Sequence, residues 1–269
     1  MTTSRRDVAE LLARHGLAPR KSLGQNFVVD ANTVRRIARL AGVGPGDHVV
    51  EIGAGLGALT RALADTGAAV TAIEVDRGLV PVLADQVGGL GVRIVEADAR
   101  TVDWEALLEG HDRWTLVANL PYNVATPLVA DLLDGVPAID RMLVMVQREV
   151  AERLAARPGD GAYGAVSVKV AYWAEAEVVG RVPPTVFLPR PNVESALVSI
   201  VRRPAPAVDV ERERLFAVVR AGFGQRRKML RRSLAGVVAP EAFARAGIRP
   251  EARAEELSVE DWGRLVAAS

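Results

Sequence analysis

Asn119, Leu120, Pro121 and Tyr122 end an apolar run, VANLPYNVATPLV (residues 117–129), just before a helical pattern resumes. A chain that only had to turn needs Gly, Pro, Asn or Asp, so a carboxamide and a phenol beside a proline ask for a further purpose. They suit an exocyclic amine on a flat ring, such as adenine N6, whose lone pair is delocalised and must be pyramidalised before it can attack. The Asn119 carbonyl and the backbone carbonyl of Pro121 or its neighbour can accept the two N–H bonds and aim the nitrogen at an electrophile. Tyr122 can stack on the ring, a contact worth about 1–3 kcal/mol per base. No strong general base is required, because the nitrogen becomes acidic only after attack.

The electrophile is suggested by VVEIGAGLGALT, which sets Gly53, Gly55 and Gly57 between an apolar strand and a helix, where a ligand can approach the backbone closely. A dinucleotide loop is usually spaced G-x-G-x-x-G; here it is G-x-G-x-G with Glu51 just ahead. Glu74 closes the next strand run, AVTAIEV, and Asp98 follows the third, VRIVEA. In an open α/β sheet both lie at the ligand-binding edge, where one can take a ribose diol and the other an adenine edge. An adenosine site without a phosphate-binding Lys fits S-adenosylmethionine. Glu51 could orient the loop amides or the amino group of the methionine tail, or be a buried structural acid.

The elements that must position these residues alternate strand and helix from about residue 47 to 147: HVVEI, AVTAIEV, VRIVEA, TLVAN and RMLVMVQ, each separated by a helical pattern. This predicts a Rossmann-like, mostly parallel α/β sheet covered on both faces. Two further apolar runs, 176–183 and 195–203, predict a hairpin-like pair that closes the sheet with one antiparallel strand. A Pro-containing stretch, 202–211, then leads to helices, which places a methyltransferase domain at 1–203 and a small all-helical domain at 204–269. Ser4 with Asp7 and Ser258 with Asp261 have capping-box spacing.

The bulk numbers narrow the class. There is no Cys, and the three His are isolated, so neither a disulfide framework nor a metal site is expected. No apolar run approaches the ~20 residues of a membrane span, and the N-terminal segment is too polar for a secretion signal, which makes the cytoplasm the expected location. The net charge is only +1, but seven basic and no acidic residues fall between Arg214 and Pro240. That asymmetry predicts a basic surface for a polyanion. GFGQRRKMLRRSL puts Arg226, Arg227, Lys228, Arg231 and Arg232 on one expected helix for RNA contact, and Arg20 and Lys21 lie on a basic loop that could touch phosphate.

Taken together, SLGQNFVVD, VEIGAGLGALT, NLPYNVATPL, GAYGAVSVKV, VFLPRPNVESALV and FGQRRKMLRRSL resemble the bacterial small-subunit ribosomal RNA adenine N6-dimethyltransferases, the KsgA/RsmA family, over residues 18–236. The resemblance implies S-adenosylmethionine-dependent dimethylation of two adjacent adenosines near the 3′ end of 16S rRNA, in the small subunit or its precursor, by a monomer. It further implies cofactor contacts from Asn26, the backbone of Val28, Gly53, Gly55, Glu74, Asp98 and Asn119. Phe187 would be a second aromatic wall facing Tyr122. Two other readings remain at this point. One is a macrolide-resistance-type 23S rRNA methyltransferase, against which Gly24 and the QRRKMLRRSL segment argue; the other is an RNA-binding assembly factor whose methylation is secondary.

Overall fold

The computed structural model describes residues 4–121 and 124–269. Its contacts divide the chain into two compact units, one running to residue 151 and resuming at 177–201, the other made of 152–176 and 202–269. The later crossing falls close to the expected boundary. The stretch 152–176 was expected in the first domain and instead groups with the second unit.

The first unit opens with α1 (Arg5–Arg14), β1 (Phe27–Val28) and α2 (Ala31–Ala41). Strand and helix then alternate through β2 (His48–Ile52), α3 (Ala58–Ala64), β3 (Ala69–Glu74), α4 (Val80–Val87), β4 (Arg93–Glu96), α5 (Trp104–Leu107), β5 (Trp114–Asn119), α6 (Ala125–Gly135), β6 (Ile139–Gln147) and α7 (Arg148–Leu154). β7 (Ala174–Val182), β8 (Phe187–Leu188) and β9 (Ser195–Arg202) complete the strands. The main sheet has the order β4-β3-β2-β5-β6-β9-β7. Neighbours from β4 through β6 are parallel, and β9 runs antiparallel to β6 from Arg141↔Val201 to Gln147↔Ser195. Central strands must be apolar on both faces because helices cover both; Val49, Val50, Leu116 and Val117 are accordingly fully buried.

A two-stranded ribbon stands apart from this sheet, β1 pairing antiparallel with β8 as Phe27↔Leu188 and Val28↔Phe187. Alternation along each strand splits these pairs between two apolar clusters. Phe27 and Leu188 pack with Val8, Leu11 and Leu12 of α1, whereas Val28 and Phe187 pack with Val34 and Ile37 of α2. Arg5 of α1 donates to the carbonyls of Thr185 and Phe187 at 3.1 and 2.8 Å, fastening that helix to the ribbon. The expected capping boxes close α1 through Ser4 and Asp7 and the last helix through Ser258 and Asp261.

The second unit consists of α8 (Ala165–Trp173), α9 (Arg212–Gly224), α10 (Leu230–Ser233), α11 (Pro240–Ala246) and α12 (Val259–Ala267) around a core that includes Tyr163, Leu215, Phe216 and Trp262. The GAYGA motif belongs here, since the Tyr163 hydroxyl is buried and donates to the Leu257 carbonyl at 2.9 Å. Gly222 of α9 lies directly against Trp262, and a Cβ at that position would sit 2.6 Å from the indole Cη2. Gly222→Ala is therefore expected to destabilise the protein by about 1–3 kcal/mol. Denaturant unfolding checks this, and a variant as stable as the parent would mean that Trp262 can move aside.

Candidate active site

Strand order reverses between β2 and β5, and ligands of open α/β sheets bind outside the carboxyl ends of the strands at such a point. A cleft of about 960 Å³, open mouth included, lies there. Its walls are the loop after β2 (Glu51 to Gly55), the end of β5 (Asn119, Leu120, Pro121), Glu74 and the segment 23–28. A neighbouring cavity of about 700 Å³ shares Leu23, Gly53, Val75 and Pro121 with it and adds Asp98 and Arg100. Asn26, Val28, Gly53, Gly55, Glu74, Asn119 and Pro121 thus come together as the sequence suggests, with Asp98 next door.

The glycines divide their work. Gly53 (φ +74°) and Gly55 (φ +58°) both hold left-handed backbone, and both line the cleft. A Cβ on Gly55 would approach the Phe27 ring to 3.2 Å, so the loop is thin enough for the ribbon to fold over it. Gly57 (φ +78°) is left-handed as well and has a second reason. Its Cβ would meet Leu83 at 2.9 Å, so it lets α3 approach α4 and serves packing.

Glu74 is buried, and both of its oxygens accept backbone N–H bonds: Oε2 from Gly55 at 2.7 Å and Oε1 from Asp76 at 2.8 Å. It splints the glycine loop to the end of β3. Burial raises its pKa, while those two bonds pull it down. The second lone pair on each oxygen remains for a ribose diol. Glu51 is fully desolvated, and burial pushes its carboxyl up to about 8, with Thr60 drawing it down and Glu74 adding to the rise. Glu51 lines the cleft, and its buried Oε2 has no hydrogen-bond partner among the described residues. An orphaned buried carboxyl is costly, and an ammonium group is its natural complement. The residues present therefore fit S-adenosylmethionine, which carries an ammonium at its methionine end and a diol on its ribose. Asp98 is held below the usual carboxylate range chiefly by side-chain bonds from Arg100.

Asn119 Nδ2 donates to the Asn26 carbonyl at 3.0 Å. Because a carbonyl can only accept, this bond fixes which end of the carboxamide is oxygen and leaves Oδ1 on the opposite side. The Pro121 carbonyl is a correction to the expected pair of acceptors. It already receives the N–H groups of Val124 and Ala125, both at 3.1 Å, where α6 begins. The neighbouring carbonyl, that of Leu120, takes its place as candidate. Tyr122 lies outside the described residues.

Phe187 departs from its expected role. Its ring is fully buried between Val34, Ile37, Leu197 and Val182 and does not line the cleft, because the β1–β8 register turns it toward α2. Arg20 departs in part: Nη1 pairs with Asp76 Oδ1 at 2.9 Å, so its charge is engaged inside the unit. Lys21 is exposed at the start of a 3-10 turn.

The basic segment of the second unit is not one helix. α9 ends at Gly224, and Arg226, Arg227 and Lys228 lie in the connection before α10, which carries Arg231 and Arg232. A Gly beside Gln225 and an extended Met229 break the helix between them. Arg226 binds Glu255 and the Gly161 carbonyl, and Arg231 lies 3.5 Å from Glu251. Arg227, Lys228 and Arg232 are exposed and have no ion-pair partner among the described residues. Sequence reasoning passed over Gln25, Phe27 and Asp76, although the first two stand inside the GQNF motif. Among the described residues no group of His, Asp and Glu has the arrangement of a metal site, and no helix is long and apolar enough to cross a membrane.

Residues 16–268 match the family model described as ribosomal RNA adenine dimethylase. The chain is 49% identical to ribosomal RNA small subunit methyltransferase A of Kineococcus radiotolerans, over 98% of this chain and 90% of that protein. It is 48% identical to the protein of the same name from Streptomyces coelicolor, over 96% and 94% of the two chains. Among solved structures, a dimethyladenosine transferase from Plasmodium falciparum superposes with a TM-score of 0.78 at 22% identity, covering 90% of this chain and 96% of that one. The 23S rRNA methyltransferase ErmE gives 0.70 at 28% identity, covering 90% and 98%.

Proposed function

Because this chain belongs to the ribosomal RNA adenine dimethylase family, whose members are S-adenosylmethionine-dependent methyltransferases, we propose that it dimethylates N6 of two adjacent adenosines near the 3′ end of small-subunit rRNA. S-adenosylmethionine supplies a methyl group on a positively charged sulfur, open to attack by nitrogen. The observation that carries the reading is the Asn119 carboxamide, tethered through Nδ2 to Asn26 with Oδ1 left to accept. Asn119 Oδ1 and the Leu120 carbonyl receive the two N6–H bonds and turn the lone pair toward the glycine loop. Glu51 faces the ammonium end of the donor, Glu74 its ribose and Asp98 its adenine, with Asn26 and the Val28 backbone closing the other wall. Tyr122 stacks on the target base.

The two curated relatives at 48–49% identity both carry small-subunit names, against 28% for the 23S enzyme, and this supports the small subunit as substrate. The absence of Cys agrees with action in the cytoplasm. Labelled donor incubated with unmethylated small and large subunits, followed by mapping of the modified bases, tests the proposal. Label confined to large-subunit RNA would favour the macrolide-resistance reading.

The exposed cations of the second unit supply affinity in this account. Charge reversal at Arg227 and Arg232 together is expected to weaken RNA binding at least about tenfold and to flatten its salt dependence by roughly two units of slope. Donor affinity stays unchanged. Arg226, already bonded to Glu255, contributes less to the slope than Arg227. Binding titrations over a salt series check both points, and an unaltered slope would remove this patch from the interface.

A further inference from the structure

Asp76 stands two residues beyond Glu74 and is 4% exposed, yet the reaction as described gives it no task. Its carboxylate gathers three donors: Arg20 Nη1 at 2.9 Å, Gln25 Nε2 at 2.8 Å and the Gly78 N–H at 3.0 Å. Two of these come from a loop some fifty residues earlier in the chain. That loop is also tied to itself, the Arg20 N–H donating to Gln25 Oε1 at 2.8 Å and the Gln25 N–H to the Arg20 carbonyl at 3.3 Å. One buried carboxylate therefore anchors both ends of the segment Arg20–Gln25.

The next residue shows what the anchor is for. Asn26 bonds back to the loop, Nδ2 donating to the Gly24 carbonyl at 3.0 Å, and its own carbonyl receives Asn119 Nδ2 at 3.0 Å. The segment has little regular structure to hold it, only one short 3-10 turn and the two residues of β1. Its polar residues bury little apolar surface, so side-chain tethers must fix its place. A loop free to shift would carry the Asn26 carbonyl away and leave the Asn119 carboxamide free to rotate or flip. Misplacing an acceptor by an ångström is enough to spoil the aim of the attacking nitrogen.

We infer that Asp76 is a positioning residue for the methyl acceptor: by tethering Arg20 and Gln25 it holds the Asn26 carbonyl where it orients Asn119. The inference rests on the reading of Asn119 given above. It also assigns Arg20 to the site's architecture ahead of any phosphate contact.

Arg20→Met removes one tether to Asp76, Gln25→Leu removes the other together with the acceptor of the Arg20 N–H, and Asp76→Asn removes the charge while keeping the side chain's shape. With unmethylated small subunits at saturating donor, each variant is expected to lose about 10–100-fold in turnover, a larger change than its loss of donor affinity. Arg20→Lys, which can still reach Asp76, recovers most of what Arg20→Met loses. Arg20→Met combined with Gln25→Leu costs less than the product of the single effects, since both act through one carboxylate. Amide hydrogen exchange over residues 20–26 quickens at least about tenfold in Gln25→Leu and Asp76→Asn. Faster exchange with unchanged turnover would overturn the positioning role. An Arg20→Met effect confined to RNA affinity and its salt slope, with Gln25→Leu silent, would make Arg20 a phosphate contact and overturn the tether. If the parent protein modifies no small-subunit RNA, the functional reading falls by itself, and exchange over 20–26 still decides whether Asp76 holds the loop.

Discussion

Asn119→Ala is expected to bring methylation close to background, a loss of at least about 10²–10³-fold in turnover, comparable with removing a single well-aimed polar group from an active site. Donor affinity falls no more than about tenfold, because the cleft keeps its glycine loop, Glu51 and Glu74. The asymmetry follows from the two ends of the carboxamide. Nδ2 is held by the Asn26 carbonyl, and Oδ1 works only when the amine arrives. Asn119→Asp provides the sharper control, since an ionised carboxylate keeps the acceptor and loses the donor, setting an oxygen against the Asn26 carbonyl. It should be nearly as inactive as Asn119→Ala. Initial rates of label transfer together with calorimetric donor binding separate these effects, and an active Asn119→Ala would remove Asn119 from the chemistry.

Glu51→Gln should change two quantities at once. With its carboxyl pushed up to about 8 by burial, Glu51 is protonated in the folded protein at neutral pH, whereas in the unfolded chain it titrates near 4.5. Between those values the folded state holds the extra proton. The associated stability is fully present below about 4.5 and is lost as pH rises to 8, by up to about 1.4 kcal/mol per pH unit. Replacing Glu51 with Gln removes that slope. The variant should therefore gain on the parent as pH rises from 4.5 to 8, and the difference should level off above 8. Donor affinity should fall about 10–100-fold, because an arriving ammonium lowers the Glu51 pKa and draws it into an ion pair that Gln cannot form. Thermal unfolding across pH and donor titration check the two halves. Parallel pH profiles would show that Glu51 holds no such proton, and unchanged affinity would turn it into a purely structural acid.

The sheet was legible in the sequence because its strands are apolar on both faces and punctuated by helical stretches, so periodicity and order alone locate β2 to β6. The antiparallel closure by β9 was legible too, from two apolar runs lying too close together for a crossover. The β1–β8 ribbon was not. Two-residue strands leave no periodicity, and their pairing joins segments far apart in the chain. That ribbon decides where Phe187 points, which is why a residue with the right motif emerged in the core. Residues 152–176 were expected in the first domain for a similar reason: nothing local reveals that Tyr163 donates to Leu257, nearly a hundred positions later.

The cofactor wall was better marked than the acceptor wall. Gly53, Gly55 and Glu74 carry their signal in local spacing, and each was found in the cleft. The Pro121 carbonyl failed because the start of α6 consumes it, a fact that depends on where the helix begins. Asp76 carries no distinguishing signal in the sequence; only the folded loop shows it buried and bonded by Arg20 and Gln25. The basic cluster was correct in composition, yet Arg226 was already committed to Glu255.

The most direct test of the central claim is a crystal structure with a non-reactive donor analogue and a short RNA hairpin carrying the adenosine pair. The adenine N6 is expected to lie within hydrogen-bond reach of Asn119 Oδ1 and the Leu120 carbonyl, facing the donor's sulfur across the glycine loop. An adenine bound elsewhere, or an N6 that touches neither acceptor, would contradict it.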